Sequence, residues 1–376
     1  MIIGVLKESN DENRVAIPPE VAKTLISWNV EVWVEKDAGK SAFAQDSSYE
    51  QEGTKIKTRD EVVENADIIC CIHPIPANEL NQMKPNAVLM GQFQALFNQE
   101  LTDHFLTSGR TVFSMELVPR ITRAQSMDVL SSMATVLGYK AVLMAANLLP
   151  RFFPMFMTAA GSITPSRVLV IGAGVAGLQA IATAKRLGAT VYAFDVRKAA
   201  KEEVLSIGAK FVDVEGASED KTAGGYAIEQ SEEYIQKQKD TIHEHAAKAD
   251  VIITTAQIPG RKAPLLVEER TVHAMKPGSV IIDLAASSGG NCALTQADQT
   301  IEVNGVKIVG VGNLPSDLPQ DASKMYGKNY LNFLKLIIKE GQLNLNFEDE
   351  IVTGTCVCHA GQAISPRLIQ QLKPQS

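Results

Sequence analysis

Short runs of β-branched and apolar residues alternate along this chain with stretches whose apolar positions recur at helical spacing. In the first third the runs at residues 2–5, 31–34, 68–72 and 87–90 read as strands, and residues 18–28 as a helix between the first two. From Arg167 the alternation sharpens, with strands expected at 168–171, 190–194, 210–214, 251–255, 280–284 and 306–311. Strands alternating with helices indicate βαβ units and a parallel sheet, and six at this spacing would complete a doubly wound one. After Pro315 the chain reads as a loop, then an amphipathic helix over 328–339 carrying Leu331, Phe333, Leu334, Leu336 and Ile337. This tail is expected to return to the first domain. The expected division is 1–130 plus 320–376 for a discontinuous first domain and 131–319 for the second. Residues 215–230 form a long polar stretch, with Gly224 and Gly225 before Tyr226, and read either as a lid or as a surface excursion.

Composition narrows the class. The 376 residues are 45% hydrophobic, which excludes disorder and leaves room for two or three domains. Thirty-six Lys and Arg against 43 Asp and Glu give a net charge of −7, which argues against a nucleic-acid partner. The start of the chain shows no leader pattern, and the apolar stretch at 141–160 is interrupted by Asn147, Pro150, Arg151 and Pro154, so no membrane-spanning segment is expected. Five cysteines (Cys70, Cys71, Cys292, Cys356 and Cys358) suit a reducing, cytoplasmic setting. Cys356, Cys358 and His359 lack a second ligand pair at zinc-site spacing, so a buried strand and no metal are expected there. His243 and His245 lie in a polar helical stretch and read as a solvated face, while Met127 and Met133 read as packing residues.

Gly172, Gly174 and Gly177 form G-x-G-x-x-G directly after a predicted strand and at the start of a predicted helix. The first glycine permits a tight turn, the second lets a pyrophosphate approach the backbone, and the third lets helix and strand pack closely. The helix N-terminus then offers N–H groups and partial positive charge to phosphate. Asp195 lies 18 residues beyond Gly177, at the end of the next strand, where a carboxylate accepts the adenosine ribose hydroxyls. A carboxylate there disfavours a 2′-phosphate, so NAD(H) is expected rather than NADP(H). Arg197 weakens that preference, and a sheet that has lost its cofactor is the bland alternative.

The chain resembles the alanine dehydrogenase and pyridine-nucleotide transhydrogenase family, on the transhydrogenase side. The resemblance rests on Lys7–Glu8 with Asn13–Ala16, on residues 119–128 (Pro-Arg-Ile-Thr-Arg-Ala-Gln-Ser-Met-Asp) and on 153–161 leading into the glycine motif. It continues through 223–226, 256–260, 283–291, 313–316 and 354–356. It implies two Rossmann-like, doubly wound parallel-sheet domains with a cleft between them. In the dehydrogenase branch a Lys, a His and an Asp complete the substrate chemistry, at positions corresponding here to His73, Gln94 and Ser287. Only Arg14 remains of that set, and its bland reading is a structural ion pair near Glu8.

The resemblance therefore implies a proton-translocating NAD(P)+ transhydrogenase of the Si-specific/Re-specific type, which passes hydride directly between nicotinamides and needs no acid–base relay. It implies Arg120, Gln125, Asp128 and Ser131 as the residues orienting the ring, an Arg120–Asp128 pair pinning the loop, and Ser126 and Met127 as cofactor contacts. Val175, Val196, Arg197 and Gln257 join the glycines and Asp195 around the nucleotide, and Gly225 and Tyr226 belong to a flap closing over it. NADP(H) would sit on a partner subunit. The chain would be a homodimer, peripheral on the cytoplasmic face of the inner membrane through membrane-spanning partners, and itself a split subunit or one domain of a larger one. A remodelled amino-acid dehydrogenase and a catalytically silent NAD(H)-binding module are the alternatives.

Overall fold

A computed structural model describes residues 1–9, 11–214, 231–257 and 262–372. The expected loop at 215–230, with Gly224, Gly225 and Tyr226, lies outside the described residues. Contacts divide the chain into two units, one of Met1–Met133 with Pro315–Ser376 and one of Ala134–Leu314.

The first unit is built on an eight-stranded sheet. Strands β1 (Ile2–Val5), β2 (Glu31–Glu35), β3 (Lys55–Lys57), β4 (Ile68–Cys70), β5 (Val88–Gly91) and β6 (Thr111–Ser114) are mutually parallel, in the order β6-β5-β4-β1-β2-β3. The central strands β4, β5 and β6 are buried along their whole length, as parallel strands covered by helices on both faces require. Ile69, Leu89 and Val112 pack with Leu6, Val62 and Phe105 on one side. Two late strands, numbered below, close the β6 edge antiparallel.

A hairpin, β7 (Phe156–Thr158) and β8 (Gly161–Ile163), precedes the second sheet and is exposed along its length. The second sheet contains β9 (Arg167–Ile171), β10 (Thr190–Phe194), β11 (Lys210–Phe211), β12 (Val251–Thr254), β13 (Val280–Asp283), β14 (Thr300–Val303) and β15 (Val306–Gly310). Its order is β11-β10-β9-β12-β13-β15-β14. Alternate residues of β9 serve different layers: Val168 and Val170 pack with Ala180 and Ile181, and Leu169 and Ile171 with Ile242 and Ile252.

The sheet has seven strands rather than six, because β14 pairs antiparallel with β15. Its residues are exposed or half-buried, so the apolar pattern there is weak. The readable signal is Asn304-Gly305, whose φ values of 51° and 77° make the two-residue turn that suits a hairpin. Strand β11 ends at Phe211, short of the expected 214.

The long tail helix spans Pro319–Ile337, not 328–339. Pro319 at its first turn is pre-set for helix, and the polar residues after it hide the start. Ile338–Lys339 (β16) instead pairs with Gln342–Leu343 (β17), and Cys356–His359 (β18) pairs with β6 and with Gln362–Ala363 (β19). Helix Val129–Leu148 is apolar enough by length and composition to cross a membrane, with 39% of its most apolar window buried; Val136, Ala141, Val142 and Ala145 are among the residues it buries. His243 and His245 are half-buried rather than solvated. His243 Nδ1 lies 2.9 Å from Thr271 Oγ1, the His245 ring packs at a tilt against Tyr192 with centroids 5.5 Å apart, and burial pulls the His245 pKa down.

The buried Tyr330 hydroxyl donates to the Cys71 carbonyl at 2.7 Å, tying the tail helix to the end of β4. Tyr330→Phe leaves that carbonyl without its partner and is expected to cost about 1–2 kcal/mol in denaturant unfolding. An unchanged midpoint would show that the bond contributes nothing.

Candidate nucleotide site

The turn after β9 is set by sterics. Gly172 has φ +98°, and a Cβ on it would lie 2.5 Å from Thr255 Oγ1. A Cβ on Gly177 would lie 1.9 Å from the Gly172 carbonyl oxygen, so only glycine allows the helix to pack this close. Around Gly174, in contrast, a Cβ would meet nothing within 4 Å. Gly174 is the extended N-cap of helix Val175–Arg186 and no side chain caps that end. Val175, 43% exposed, opens the helix. The three glycines thus do different things. Two shape the turn, and one leaves space before a helix N-terminus where phosphate binds well.

Asp195 follows β10 and reaches back to this turn, accepting the Ala173 N–H at 2.7 Å. Arg197 holds the same carboxylate through its backbone N–H at 2.8 Å and its guanidinium at 2.9 and 3.0 Å. These bonds raise the Arg197 pKa. Val196, half-buried, lies between them.

Beyond β12, the Thr255 hydroxyl donates to the Gly172 carbonyl at 3.1 Å. Buried Asn291 brackets Ala256 from both sides, accepting its N–H at 3.0 Å and donating to its carbonyl at 2.9 Å. Exposed Gln257 donates to the Leu284 carbonyl at 3.0 Å. Asp283, fully buried at the end of β13, accepts from Thr254 and Thr295 hydroxyls and from the N–H groups of Ala285, Asn291 and Cys292. Thr255 and the Asp283–Asn291 network escaped sequence reasoning as site-shaping groups; the resemblance marked only the segment.

In the first unit, residues 119–131 line a cavity of about 610 Å³. Arg120, Thr122, Gln125, Asp128 and Ser131 contribute its polar wall, and Pro119, Ile121 and Ala124 its apolar one. A 3-10 stretch, Thr122–Met127, exposes Gln125 and Ser126 and buries Met127. Asp128 caps helix Val129–Leu148, accepting the Ser131 N–H at 2.9 Å and hydroxyl at 2.6 Å. The loop is also held from the tail: Asn329 and Asn332 donate to the Ser126 carbonyl, and Arg123 meets Asp349 with two 2.7 Å bonds.

The carboxyl end of the first sheet, between β1 and β4, is filled by the chain itself. Glu8 accepts the N–H groups of Ile72 and His73, and burial raises its pKa. Arg14 pairs with Glu12 rather than with Glu8. Its Nε lies 2.8 Å and its Nη2 2.6 Å from the two Glu12 oxygens, with both residues buried. Burial would lower the Arg14 pKa, but these bonds outweigh it and hold it high. His73 Nε2 also meets Glu12, at 3.0 Å. Gln94 follows β5 with φ +51°, and Ser287 is exposed after β13.

Two doubly wound α/β units, one carrying a glycine-shaped phosphate turn with a carboxylate behind it, define the dinucleotide-binding class of protein. The description "Alanine dehydrogenase/PNT, N-terminal domain" matches residues 4–137, and "Alanine dehydrogenase/PNT, C-terminal domain" matches 141–366, so the chain belongs to the alanine dehydrogenase/pyridine-nucleotide transhydrogenase family. It is 47% identical over 382 aligned positions to the first portion of NAD(P) transhydrogenase subunit alpha of Rhodospirillum rubrum, covering 99% of this chain and 100% of that one. A solved transhydrogenase structure from Sinorhizobium meliloti superposes with a TM-score of 0.89 at 44% identity, over 97% of this chain and 100% of that one. Alanine dehydrogenase of Bacillus subtilis is 30% identical over 86% of this chain and 82% of its own length. The family is pyridine-nucleotide binding, and the subunit-alpha relatives are components of multi-subunit enzymes.

The two kinds of glycine separate by experiment. Gly177→Ala forces helix and strand apart and is expected to cost about 2–3 kcal/mol of stability, whereas Gly174→Ala leaves the unfolding midpoint unchanged. Equal midpoints for the two variants would contradict this geometry.

Proposed function

We propose that this chain is the NAD(H)-holding alpha component of a proton-translocating NAD(P)+ transhydrogenase of the Si-specific/Re-specific type. Hydride passes between NAD(H) bound here and NADP(H) bound by a partner subunit, with proton movement left to membrane-spanning subunits. The observation that carries the reading is the Arg14–Glu12 pair. The one cation retained from the dehydrogenase substrate set already has a carboxylate across its fork, and Gln94 and Ser287 supply no ionisable group. An amino-acid dehydrogenase needs an anchored substrate carboxylate and a positioned acid–base. Arg14 is engaged by Glu12, and of the three corresponding positions only His73 is ionisable, its Nε2 lying 3.0 Å from that same Glu12.

The bound dinucleotide supplies the hydride. This chain's residues supply proximity, ring orientation and exclusion of water. The glycine turn and the N-terminus of helix Val175–Arg186 take the pyrophosphate, and Asp195, Val196 and Arg197 the adenosine ribose. Gln125 offers an amide to the nicotinamide carboxamide, and Ser131, fixed by Asp128, a hydroxyl. Arg120, Ser126 and Met127 shape the same loop, and Gln257 borders the nucleotide. The exposed hairpin β7–β8, with Phe156, Met157 and Ile163 at 41, 78 and 40% exposure, supports a homodimer, since such apolar surface favours a second copy. The complex would hold the chain at the cytoplasmic face of the inner membrane without inserting it.

Purified protein mixed with an NADP(H)-binding transhydrogenase component is expected to exchange hydride between nucleotides, and alone to leave alanine and NAD+ unchanged. Alanine oxidation by the chain alone would overturn the proposal. Gln125→Asn is expected to slow transfer at least about tenfold while NADH affinity moves less than about threefold. Equal losses would reduce Gln125 to a binding residue.

A further inference from the structure

The stretch Thr122–Met127 is a 3-10 helix of six residues, longer than such runs ordinarily reach, because three residues per turn give poor hydrogen-bond geometry. At that period residues three apart eclipse, so the stretch carries three rows. Ala124 and Met127 form a buried row. Thr122 and Gln125 form the row that lines the cavity. Arg123 and Ser126 form the third, and the returning tail holds both residues. Arg123 Nη1 and Nη2 each donate at 2.7 Å to a different oxygen of Asp349, and Asn329 and Asn332 donate to the Ser126 carbonyl at 2.9 and 3.2 Å. The Arg123 side chain is 50% exposed, and a single-contact ion pair so placed would contribute little. Two parallel bonds on one carboxylate are the stronger, direction-setting arrangement. Asp349 is itself fixed, since it caps helix Glu350–Thr355 by accepting the Ile351 N–H at 2.8 Å. The guanidinium holds the Asp349 carboxyl below the usual carboxylate range, so the fork persists through neutral pH.

We propose that Arg123 and Asp349 are positioning residues for hydride transfer: their fork fixes the rotation of the 3-10 stretch and thereby the direction in which Gln125 presents its amide. The inference rests on reading Gln125 as the group that orients the nicotinamide. With one row buried and another gripped by the tail, the third row has a single orientation. Without the fork the stretch is free to relax toward α-helical geometry, which turns Gln125 by about 40° relative to Arg123 over the two residues that separate them. An amide displaced in this way still meets the nucleotide but no longer holds the ring at the angle that transfer needs. The loss therefore falls on rate more than on binding.

Rapid-mixing measurement of hydride transfer, with the full chain and an NADP(H)-binding transhydrogenase component, tests this beside calorimetric titration with NADH. Asp349→Asn keeps the helix cap, since Asn caps as well as Asp, and removes the charge and one acceptor oxygen. It is expected to slow transfer at least about threefold while the NADH dissociation constant stays within about twofold. Equal losses in both, or none in transfer, overturn the inference. Arg123→Gln is expected to behave alike, and the double variant to transfer no more slowly than the slower single one, because the two residues act as a unit. Losses that multiply in the double variant overturn the fork as the cause. Gln125→Asn is the control. If it leaves transfer unchanged, the nicotinamide reading of Gln125 fails and takes this inference with it. Slow transfer by Gln125→Asn beside unaffected fork variants overturns the role of the fork alone.

Discussion

The arrangement of the second unit depends on one close approach, where the Gly172 carbonyl occupies the space a side chain at residue 177 would need. Sterics force glycine there, and the approach brings the helix N-terminus directly onto the end of β9. The neighbouring strands then lock the turn from outside. Asp195, at the end of β10, takes the Ala173 N–H, and Thr255, beyond β12, donates to the Gly172 carbonyl. Asp283 and Asn291, reached from β13, hold the segment carrying Thr255 and Ala256 in turn. The loops at the carboxyl edge of this parallel sheet are thereby fixed by hydrogen bonds that need no ligand. A preorganised edge of this kind loses less freedom on binding than a floppy one.

The first unit shows the same economy with the opposite consequence. Where a doubly wound sheet ordinarily leaves a crevice at its switch point, Glu8 satisfies the Ile72 and His73 N–H groups and Glu12 satisfies Arg14. Arg14 there already has its carboxylate and Glu8 its two N–H donors, which suits a scaffold more than a substrate anchor. Other polar groups line the cavity at residues 119–131, where the loop is tied by Asn329, Asn332 and Arg123 to the returning tail. The tail thus helps to position Gln125.

Most of the fold was legible because buried parallel strands write continuous apolar runs: residues 2–5 and 190–194 coincide with β1 and β10. What escaped was exposed, short or polar. Strands β14, β17 and β19 carry little apolar pattern, and only turn chemistry such as Asn304-Gly305 marks the first of them. The start of the tail helix was hidden because Pro319 and the polar residues after it resemble a loop. What Gly172 and Gly177 do could be read directly, since the motif is a steric statement. The Arg14–Glu12 pairing could not be, because Glu8 and Glu12 both stand close in sequence and only the folded chain chooses between them. Arg197 was visible as a charge near Asp195, but its two-pronged hold on that carboxylate is a matter of geometry.

The central claim is that this chain orients a nicotinamide and moves no substrate proton. Reduction of NADP+ by NADH carrying deuterium at the transferred C4 position, in water, with this chain and an NADP(H)-binding transhydrogenase component, tests it most directly. The account predicts that the deuterium is recovered in the NADPH formed and that the mirror experiment, unlabelled NADH in D2O, leaves NADPH free of label. Solvent deuterium appearing at C4 of NADPH would contradict it.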